Sequence, residues 1–210
     1  TEFAQGLGLV REMAPELLTF HLVFGKTVAD ISYNAVANLG YADVRFLEPV
    51  YPGDTLQAQS EVIGIKETSS GATGIVYVRT TGSNQRGQVV LQFVRWVLVP
   101  KRDPASPAAV AVVPSLPTEV AAARMPTPTF KLDRLGDLQW ALGGTRWFDD
   151  YAVGEVIRHA GGMTLDESDH TFATRLYQNN ARVHFDAQQM ATSKFGRRLV
   201  YGGHVISVAH

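Results

Sequence analysis

The sequence contains no cysteine, almost no net charge and no long apolar run. Without cysteine there can be no disulfide, thiolate nucleophile or thiolate-bound metal, so any chemistry has to use other side chains. The absence is compatible with a reducing cytoplasm, which is the location we expect. The formal net charge is -1 at pH 7, so no basic field exists that would gather nucleic acid or anionic lipid.

Membrane and targeting segments are also missing from the sequence. No apolar run approaches the roughly 20 residues that span a bilayer, and the start TEFAQGLGL lacks the basic region and apolar core of a signal peptide. We therefore expect a soluble protein with no membrane partner. The chain begins with Thr1 and ends at GGHVISVAH, which is typical of the first turns of an apolar helix. We expect a chain that is incomplete at both ends.

Proline divides the chain. Seven of the ten prolines fall between Pro100 and Pro128, where neither helical nor strand periodicity survives. This pattern predicts a first module at residues 1–100, a Pro/Ala-rich linker and connector at residues 101–144, and a second module at residues 145–210. Within the connector, Phe130–Leu142 has no clear periodicity.

The first module is predicted to be one buried helix followed by an antiparallel meander. Glu16–Val28 is apolar on nearly every side and follows Pro15, which is typical of a buried helix. Strands are predicted at Thr55–Lys66, Gly74–Gly82 and Val89–Val99, with a turn at Asn84–Gly87. A sheet wrapped around a helix is an α+β layout.

The second module is predicted to contain a short strand and two capped helices. Tyr151–His159 has the composition of a strand, and Thr164–Glu167 has the spacing of a capping box ahead of a helix at about Leu165–Leu176. Asp186 is predicted to cap a second helix that continues to about Lys194.

Side chains that could do chemistry lie between those two helices, in the stretch YQNNARVHFD. His184 could take a proton from water and return one, whereas Asn179 could only orient a water or a carbonyl by hydrogen bonds. Further on, Gly202 and Gly203 precede the apolar stretch VISVA, so their amides could stabilise an oxyanion at a helix N-terminus.

Structural roles for the same residues remain open on the sequence alone. A lone histidine before a helix is more often a hydrogen-bonding residue than a catalyst, and two adjacent glycines are equally typical of a tight turn. Metal binding is not predicted, because the remaining histidines share no ligand spacing: His21, His159, His170, His204 and His210.

The stretch resembles the MaoC-like dehydratase family. The hydratase motif of that family runs Asp-x-Asn-Pro-hydrophobic-His, then Phe-Gly-Arg-Pro, an apolar pair and His-Gly; here the corresponding stretches are NNARVH, FGRR, LV and YG. His184 and Gly202 match the catalytic histidine and the oxyanion-hole glycine. Asn179 takes the place of the aspartate, and Ala181 and Arg182 replace the asparagine and proline.

A second stretch, FGKTVADISYNAVANLGYADVRFLEPVYPGDTLQAQSEVIGIKE at residues 24–67, is similar to the subgroup that contains mesaconyl-CoA hydratase, also called β-methylmalyl-CoA dehydratase. The resemblance implies a tandem double hot-dog fold, a homodimer, and asparagine at position 179. It implies reversible hydration of an enoyl-CoA, with no cofactor because CoA is part of the substrate. The first module would be a scaffold, because Ala14-Pro15 stands where the second module has Gly202-Gly203, and proline lacks the amide of an oxyanion donor.

This resemblance assigns catalysis to His184, Asn179 and Gly202. We expect Gly203 and three arginines to bind the substrate. Arg182 could grip a substrate carboxylate bidentately, and Arg197 and Arg198 could hold CoA phosphates, although solvated surface charge is the commoner role. Two other functions stay open: a non-catalytic hot-dog protein that binds acyl-CoA, and a hot-dog thioesterase. The thioesterase would need a carboxylate or hydroxyl near the thioester, and none stands out near His184.

Overall fold

The computed structural model describes residues 2–125, 130–131, 133, 136 and 146–209. Contacts divide the chain into one unit of residues 14–126 and 165–210 and another of residues 1–13 and 127–164. This grouping cuts across the segments 1–100 and 145–210, whose assignment to two hot-dog modules stays a prediction. The connector at Phe130–Leu142 lies largely outside the described residues.

The smaller unit has little regular structure among its described residues. It contains helix α1 (Glu2–Gly6) and a 3-10 turn at Phe148–Asp150. The predicted strand at Tyr151–His159 is wrong, because this backbone is irregular and turns at Gly154 with φ of 86°. A strand needs a pairing partner, and the apolar side chains here, such as Val153, are exposed rather than packed on a neighbouring strand.

The larger unit is built around helix α2 (Glu16–Thr27), which confirms the buried helix predicted after Pro15. The proline has φ of -54°, a value already suited to a helix start. The chain then continues into a π-helical turn at Val28–Ser32. Val23 in α2 and Val28 in the following turn are completely buried, and seven of the twelve residues of α2 are buried.

Four antiparallel strands pack against α2. They are β1 (Ala37–Phe46), β2 (Gln57–Glu67), β3 (Thr73–Ser83) and β4 (Val89–Pro100), in the order β1-β4-β3-β2. The predicted turn joins β3 to β4, where the Asn84 side-chain oxygen accepts the amides of Arg86 and Gln88. The three strands predicted at Thr55–Lys66, Gly74–Gly82 and Val89–Val99 are confirmed as β2, β3 and β4, and with them the α+β layout.

Close contact between helix and sheet depends on glycine. A Cβ on Gly82 would lie 2.7 Å from a methyl group of Val23, so only glycine lets the helix approach the sheet there. On the other side of α2, a Cβ on Gly25 would lie 1.7 Å from the carbonyl oxygen of Tyr177. The segment that carries the candidate site is therefore seated directly on α2.

Four short helices complete the larger unit: α3 (Glu167–Leu176), α4 (Arg182–Phe185), α5 (Ala187–Ala191) and α6 (Gly202–Ala209). The predicted capping box at Thr164 is wrong, because Asp166 is the N-cap and its carboxylate accepts the Ser168 amide at 2.8 Å. Asp186 caps α5 as predicted, but α5 ends at Ala191 rather than Lys194.

The core joins α2, the sheet and the start of α6. Its buried members are Phe20, Val23, Phe24, Val28, Val50, Val90, Leu91, Phe93 and Tyr201. Tyr201 directly precedes α6, so packing in the core also fixes the place where that helix begins. None of the helices in the described residues has both the length and the apolar character needed to cross a membrane.

Candidate active site

His184 lies in the single helical turn of α4 and is held by the chain that leads to α6. Its Nδ1 is 2.9 Å from the carbonyl oxygen of Leu199, and the Leu199 amide donates to the carbonyl of Val183 at 2.9 Å. A carbonyl only accepts, so Nδ1 carries the hydrogen and donates it. In the neutral imidazole Nε2 is then the unprotonated nitrogen, which is the form that a general base requires.

The surroundings keep His184 neutral. Burial lowers the pKa of this imidazole below its ordinary value of 6.5, and the hydrogen bond to Leu199 opposes the shift without reversing it. The side chain is only half-buried, so Nε2 can still be reached. Among the described residues, no group makes a hydrogen bond to Nε2.

Gly202 and Gly203 begin α6, as predicted. No described residue accepts a hydrogen bond from either amide, which is expected for the first positions of a helix. The two glycines differ in their surroundings: a Cβ on Gly202 would meet nothing within 4 Å, whereas one on Gly203 would lie 2.5 Å from the ring of Tyr201. Gly202 is exposed and Gly203 is buried, so the Gly202 amide is the more accessible donor.

Asn179 is buried in the turn between α3 and α4, with 1% of its surface exposed. Its side-chain oxygen accepts the amide of Ala181 at 3.3 Å. The amide nitrogen Nδ2 is buried and has no hydrogen-bond partner among the described residues. A buried donor without an acceptor costs about 1–3 kcal/mol, which favours a ligand or a water as its partner.

Two of the three arginines have partners in the structure. Arg198 donates to Glu167 at 2.6 Å and to Thr171 at 3.2 Å, and so ties the loop before α6 to α3. Arg182 is exposed, and its guanidinium lies 4.6 Å from the centre of the Tyr33 ring. Arg197 is exposed in the middle of the loop between α5 and α6.

The sequence reasoning missed three histidines around Tyr201. His21 approaches the Tyr201 hydroxyl at 3.3 Å and the Ser207 hydroxyl at 2.6 Å. The ring centre of His170 lies 6.1 Å from that of His184 and 6.2 Å from that of His204. These residues come from α2, α3 and α6, so no local spacing could reveal the cluster.

Within the described ranges, no group of three histidine, cysteine, aspartate or glutamate side chains is arranged to hold a metal ion. His21 hydrogen-bonds two hydroxyl groups and His170 accepts a backbone amide, whereas Nε2 of His204 is buried without a partner among the described residues.

Comparison with known proteins identifies the family. The family model described as mesaconyl-CoA hydratase matches residues 11–210. The chain belongs to the mesaconyl-CoA hydratase family. It is 57% identical over 208 residues to a mesaconyl-CoA hydratase from Cereibacter sphaeroides, covering 99% of this chain and 60% of that protein. It is 53% identical over 209 residues to a β-methylmalyl-CoA dehydratase from Chloroflexus aurantiacus, covering 100% of this chain and 59% of that protein.

Solved structures agree with this family membership. A MaoC domain protein dehydratase from Chloroflexus aurantiacus matches with a TM-score of 0.93 and 52% identity, over 100% of this chain and 59% of that chain. A Mycobacterium tuberculosis protein with a double hotdog fold matches with a TM-score of 0.76 and 25% identity, over 99% of this chain and 61% of that chain. The α2-on-sheet layout is therefore the hot-dog fold, and the chain spans about 60% of the length of these mesaconyl-CoA hydratase relatives.

Proposed function

We propose that this member of the mesaconyl-CoA hydratase family adds water reversibly across the 2,3 double bond of an enoyl-CoA thioester. The observation that carries the proposal is the hydrogen bond from His184 Nδ1 to the Leu199 carbonyl, which leaves Nε2 as an unprotonated base. The ring centre of the same imidazole lies 5.6 Å from that of Tyr201, the residue before the free amides of α6. A base and an oxyanion donor are thereby provided by adjacent segments.

Hydration needs one proton acceptor and one proton donor, and His184 can be both in turn. Nε2 removes a proton from water as the water oxygen bonds to C3 of the enoyl group. Electron density then moves to the thioester oxygen, where the Gly202 amide donates a hydrogen bond. The imidazolium returns the proton to C2, so water has been added and His184 is again neutral.

Asn179 would orient a water or a substrate oxygen rather than transfer a proton. An amide does not titrate in the accessible pH range, and the oxygen of this one is already engaged by Ala181. The remaining donor, Nδ2, would bind the oxygen of the attacking water or of the C3 hydroxyl product. This role accounts for a buried amide nitrogen with no acceptor among the described residues.

The proposed substrate is an enoyl-CoA that carries a second carboxylate, as in mesaconyl-CoA and β-methylmalyl-CoA. Arg182 is exposed and its charge is partnered by the face of Tyr33, not by an acidic group, among the described residues. A guanidinium that contacts only an aromatic ring can still bind a carboxylate bidentately. Arg197 would contact CoA phosphates, whereas Arg198, paired with Glu167, would hold the loop in place.

The family also suggests the assembly. We propose a tandem double hot-dog with α2 in the scaffold module, a homodimer, and a cytoplasmic location. The double hotdog fold of the Mycobacterium tuberculosis relative supports the first of these proposals.

Thioester hydrolysis is the second candidate, because one observation favours it. The Ser207 hydroxyl lies 2.6 Å from His21 Nε2, which is the spacing of a nucleophile and its base. The other nitrogen of His21, however, faces the Tyr201 hydroxyl rather than a carboxylate, and the imidazole is 1% exposed. A serine whose histidine is buried and has no orienting acid is a weak nucleophile.

The deciding experiment supplies crotonyl-CoA and mesaconyl-CoA to the wild type and to His184→Ala. Hydration consumes the absorbance of the conjugated enoyl thioester, whereas hydrolysis releases a free thiol. We expect hydration by the wild type and a loss of about 10²–10⁴-fold in kcat for His184→Ala. His159→Ala, at an exposed histidine of the smaller unit, is the matched control and should keep full activity.

Other outcomes separate the alternatives. Thiol release that depends on Ser207 would identify a thioesterase, and CoA thioester binding with neither signal would identify a non-catalytic binder. Hydration that persists in His184→Ala within about tenfold of the wild type would refute the assignment of the base.

A further inference from the structure

A buried hydrogen bond joins α3 to the start of α6. The backbone amide of Tyr201 donates to Nε2 of His170 at 2.9 Å, and the His170 side chain is 3% exposed. A backbone N–H can only donate, so Nε2 has to be unprotonated. Only the neutral imidazole with its hydrogen on Nδ1 can make this contact.

The contact restrains the residue that directly precedes the proposed oxyanion donor. The Tyr201 carbonyl accepts the amides of His204 at 2.9 Å and Val205 at 3.3 Å, so the first turn of α6 holds that end of the residue. His170 holds the other end of Tyr201 by accepting its backbone amide. Gly202 and Gly203 have no side chains with which to fix their own backbone, so the direction of the Gly202 N–H depends on how Tyr201 is held.

We infer that His170 is a positioning residue for this site: by accepting the Tyr201 amide it fixes the start of α6 and so the direction of the Gly202 N–H. The inference rests on the proposed hydration, in which that N–H binds the thioester oxygen. The centre of the His170 ring also lies 6.1 Å from that of His184, and the two rings meet edge to face.

The surroundings of His170 suit this role. The groups that face it are His184 from α4, His204 and Tyr201 at α6, Arg198 from the preceding loop and Glu167 from its own helix. Burial, followed by electrostatic interactions with His184, His204 and Arg198, lowers the pKa of His170 from 6.5 to about 4, and Glu167 opposes the shift. The acceptor is thus present at neutral pH.

Two substitutions separate positioning from packing. His170→Leu fills the space but accepts no hydrogen bond, whereas His170→Gln keeps an acceptor near the position of Nε2. Loss of a whole oxyanion donor costs about 10²–10³-fold in kcat, so a misdirected donor should cost about 10-fold or more. We expect His170→Leu to lower kcat by about 10–100-fold with KM changed by less than about threefold, and His170→Gln to recover most of that loss.

The control is His159→Leu, which removes an exposed histidine of the smaller unit and should leave both constants unchanged. The inference is overturned if His170→Leu keeps kcat within about twofold of the wild type, or if Leu and Gln variants of equal stability lose activity equally.

A measurement on the wild type makes the result independent of whether the variants fold. An N–H···N hydrogen bond transmits a scalar coupling between its two nitrogens, so ¹⁵N-labelled protein should show one between the Tyr201 amide and His170 Nε2. The Gly202 amide signal should move in His170→Leu and stay nearer its wild-type position in His170→Gln. No coupling in the folded protein, or an unmoved Gly202 signal, would exclude the positioning role.

The two proposals fail in different ways. A wild type that hydrates no enoyl thioester refutes the proposed function, while the coupling and the Gly202 signal still decide whether His170 holds the start of α6. An active wild type whose His170 variants match it refutes only the positioning role.

Discussion

Mild acid should destabilise the protein, because His21 is buried in its neutral form. The side chain is 1% exposed, and its two nitrogens face the hydroxyls of Ser207 and Tyr201. Burial, followed by the charge of His204, lowers the pKa of His21 from 6.5 to about 4. The folded protein therefore resists a protonation that the unfolded chain accepts freely.

The sign and size follow from proton linkage. Since the folded pKa lies below the unfolded one, the stability contributed by neutral His21 is fully present above about pH 6.5 and is lost as the pH falls towards about 4. The free energy of unfolding then falls by about 1.4 kcal/mol per pH unit, or about 2 kcal/mol between about pH 6.5 and about pH 5. His170, whose pKa is also lowered to about 4, adds a loss of the same sign.

The assay compares urea unfolding at about pH 7 and about pH 5 for the wild type, His21→Gln and His159→Gln. Glutamine can still hydrogen-bond the Ser207 hydroxyl but does not titrate. We expect His21→Gln to lose about 2 kcal/mol less than the wild type over this interval, and His159→Gln to follow the wild type. An equal loss in His21→Gln and the wild type would show that burial does not hold His21 neutral.

Two further predictions concern packing and substrate choice. Gly25→Ala should lower the free energy of unfolding in urea by more than about 3 kcal/mol, because its Cβ would lie 1.7 Å from the Tyr177 carbonyl oxygen. The control is Gly53→Ala, where a Cβ meets nothing within 4 Å but φ is 96°, and it should lower that free energy by about 1 kcal/mol. Equal losses in the two variants would contradict the close packing at Gly25. Arg182→Leu should lower kcat/KM for mesaconyl-CoA at least about tenfold relative to crotonyl-CoA; an unchanged ratio in the same absorbance assay would remove Arg182 from carboxylate binding.

The main elements of the larger unit were predictable because their signals are local. Apolar residues all round Glu16–Val28 predict a buried helix, and the alternation in Gly74–Gly82 predicts a strand; both lie within one or two residues of the observed elements. The strand predicted at Tyr151–His159 failed because composition alone cannot supply a pairing partner. The capping residue of α3 was also predicted wrongly. Thr164 and Asp166 both precede the helix, and only the aspartate side chain reaches a helix amide.

The candidate site was predictable only as far as its motif extends. His184 and Gly202 follow from the resemblance of one short stretch, and so do their proposed roles. The hydrogen bond from Tyr201 to His170 joins residues 31 positions apart, and the contact between His21 and Ser207 joins residues 186 apart. No periodicity or motif connects such pairs, because they meet only when α2, α3 and α6 pack together.

His184 and the three histidines clustered around Tyr201 differ in their hydrogen bonds. These differences explain why His184, rather than a neighbour, is suited to be the base. His21 has both nitrogens engaged by hydroxyls, and His170 Nε2 is occupied by the Tyr201 amide. His204 has a buried Nε2 with no hydrogen-bond partner among the described residues, and it lies in a side chain that is 9% exposed. His184 alone among them has its hydrogen directed to a carbonyl, with its Nε2 unbonded by any described residue in a half-buried side chain. A base needs both an available lone pair and access to substrate, so the packing that buries the other three histidines also selects the one that can react.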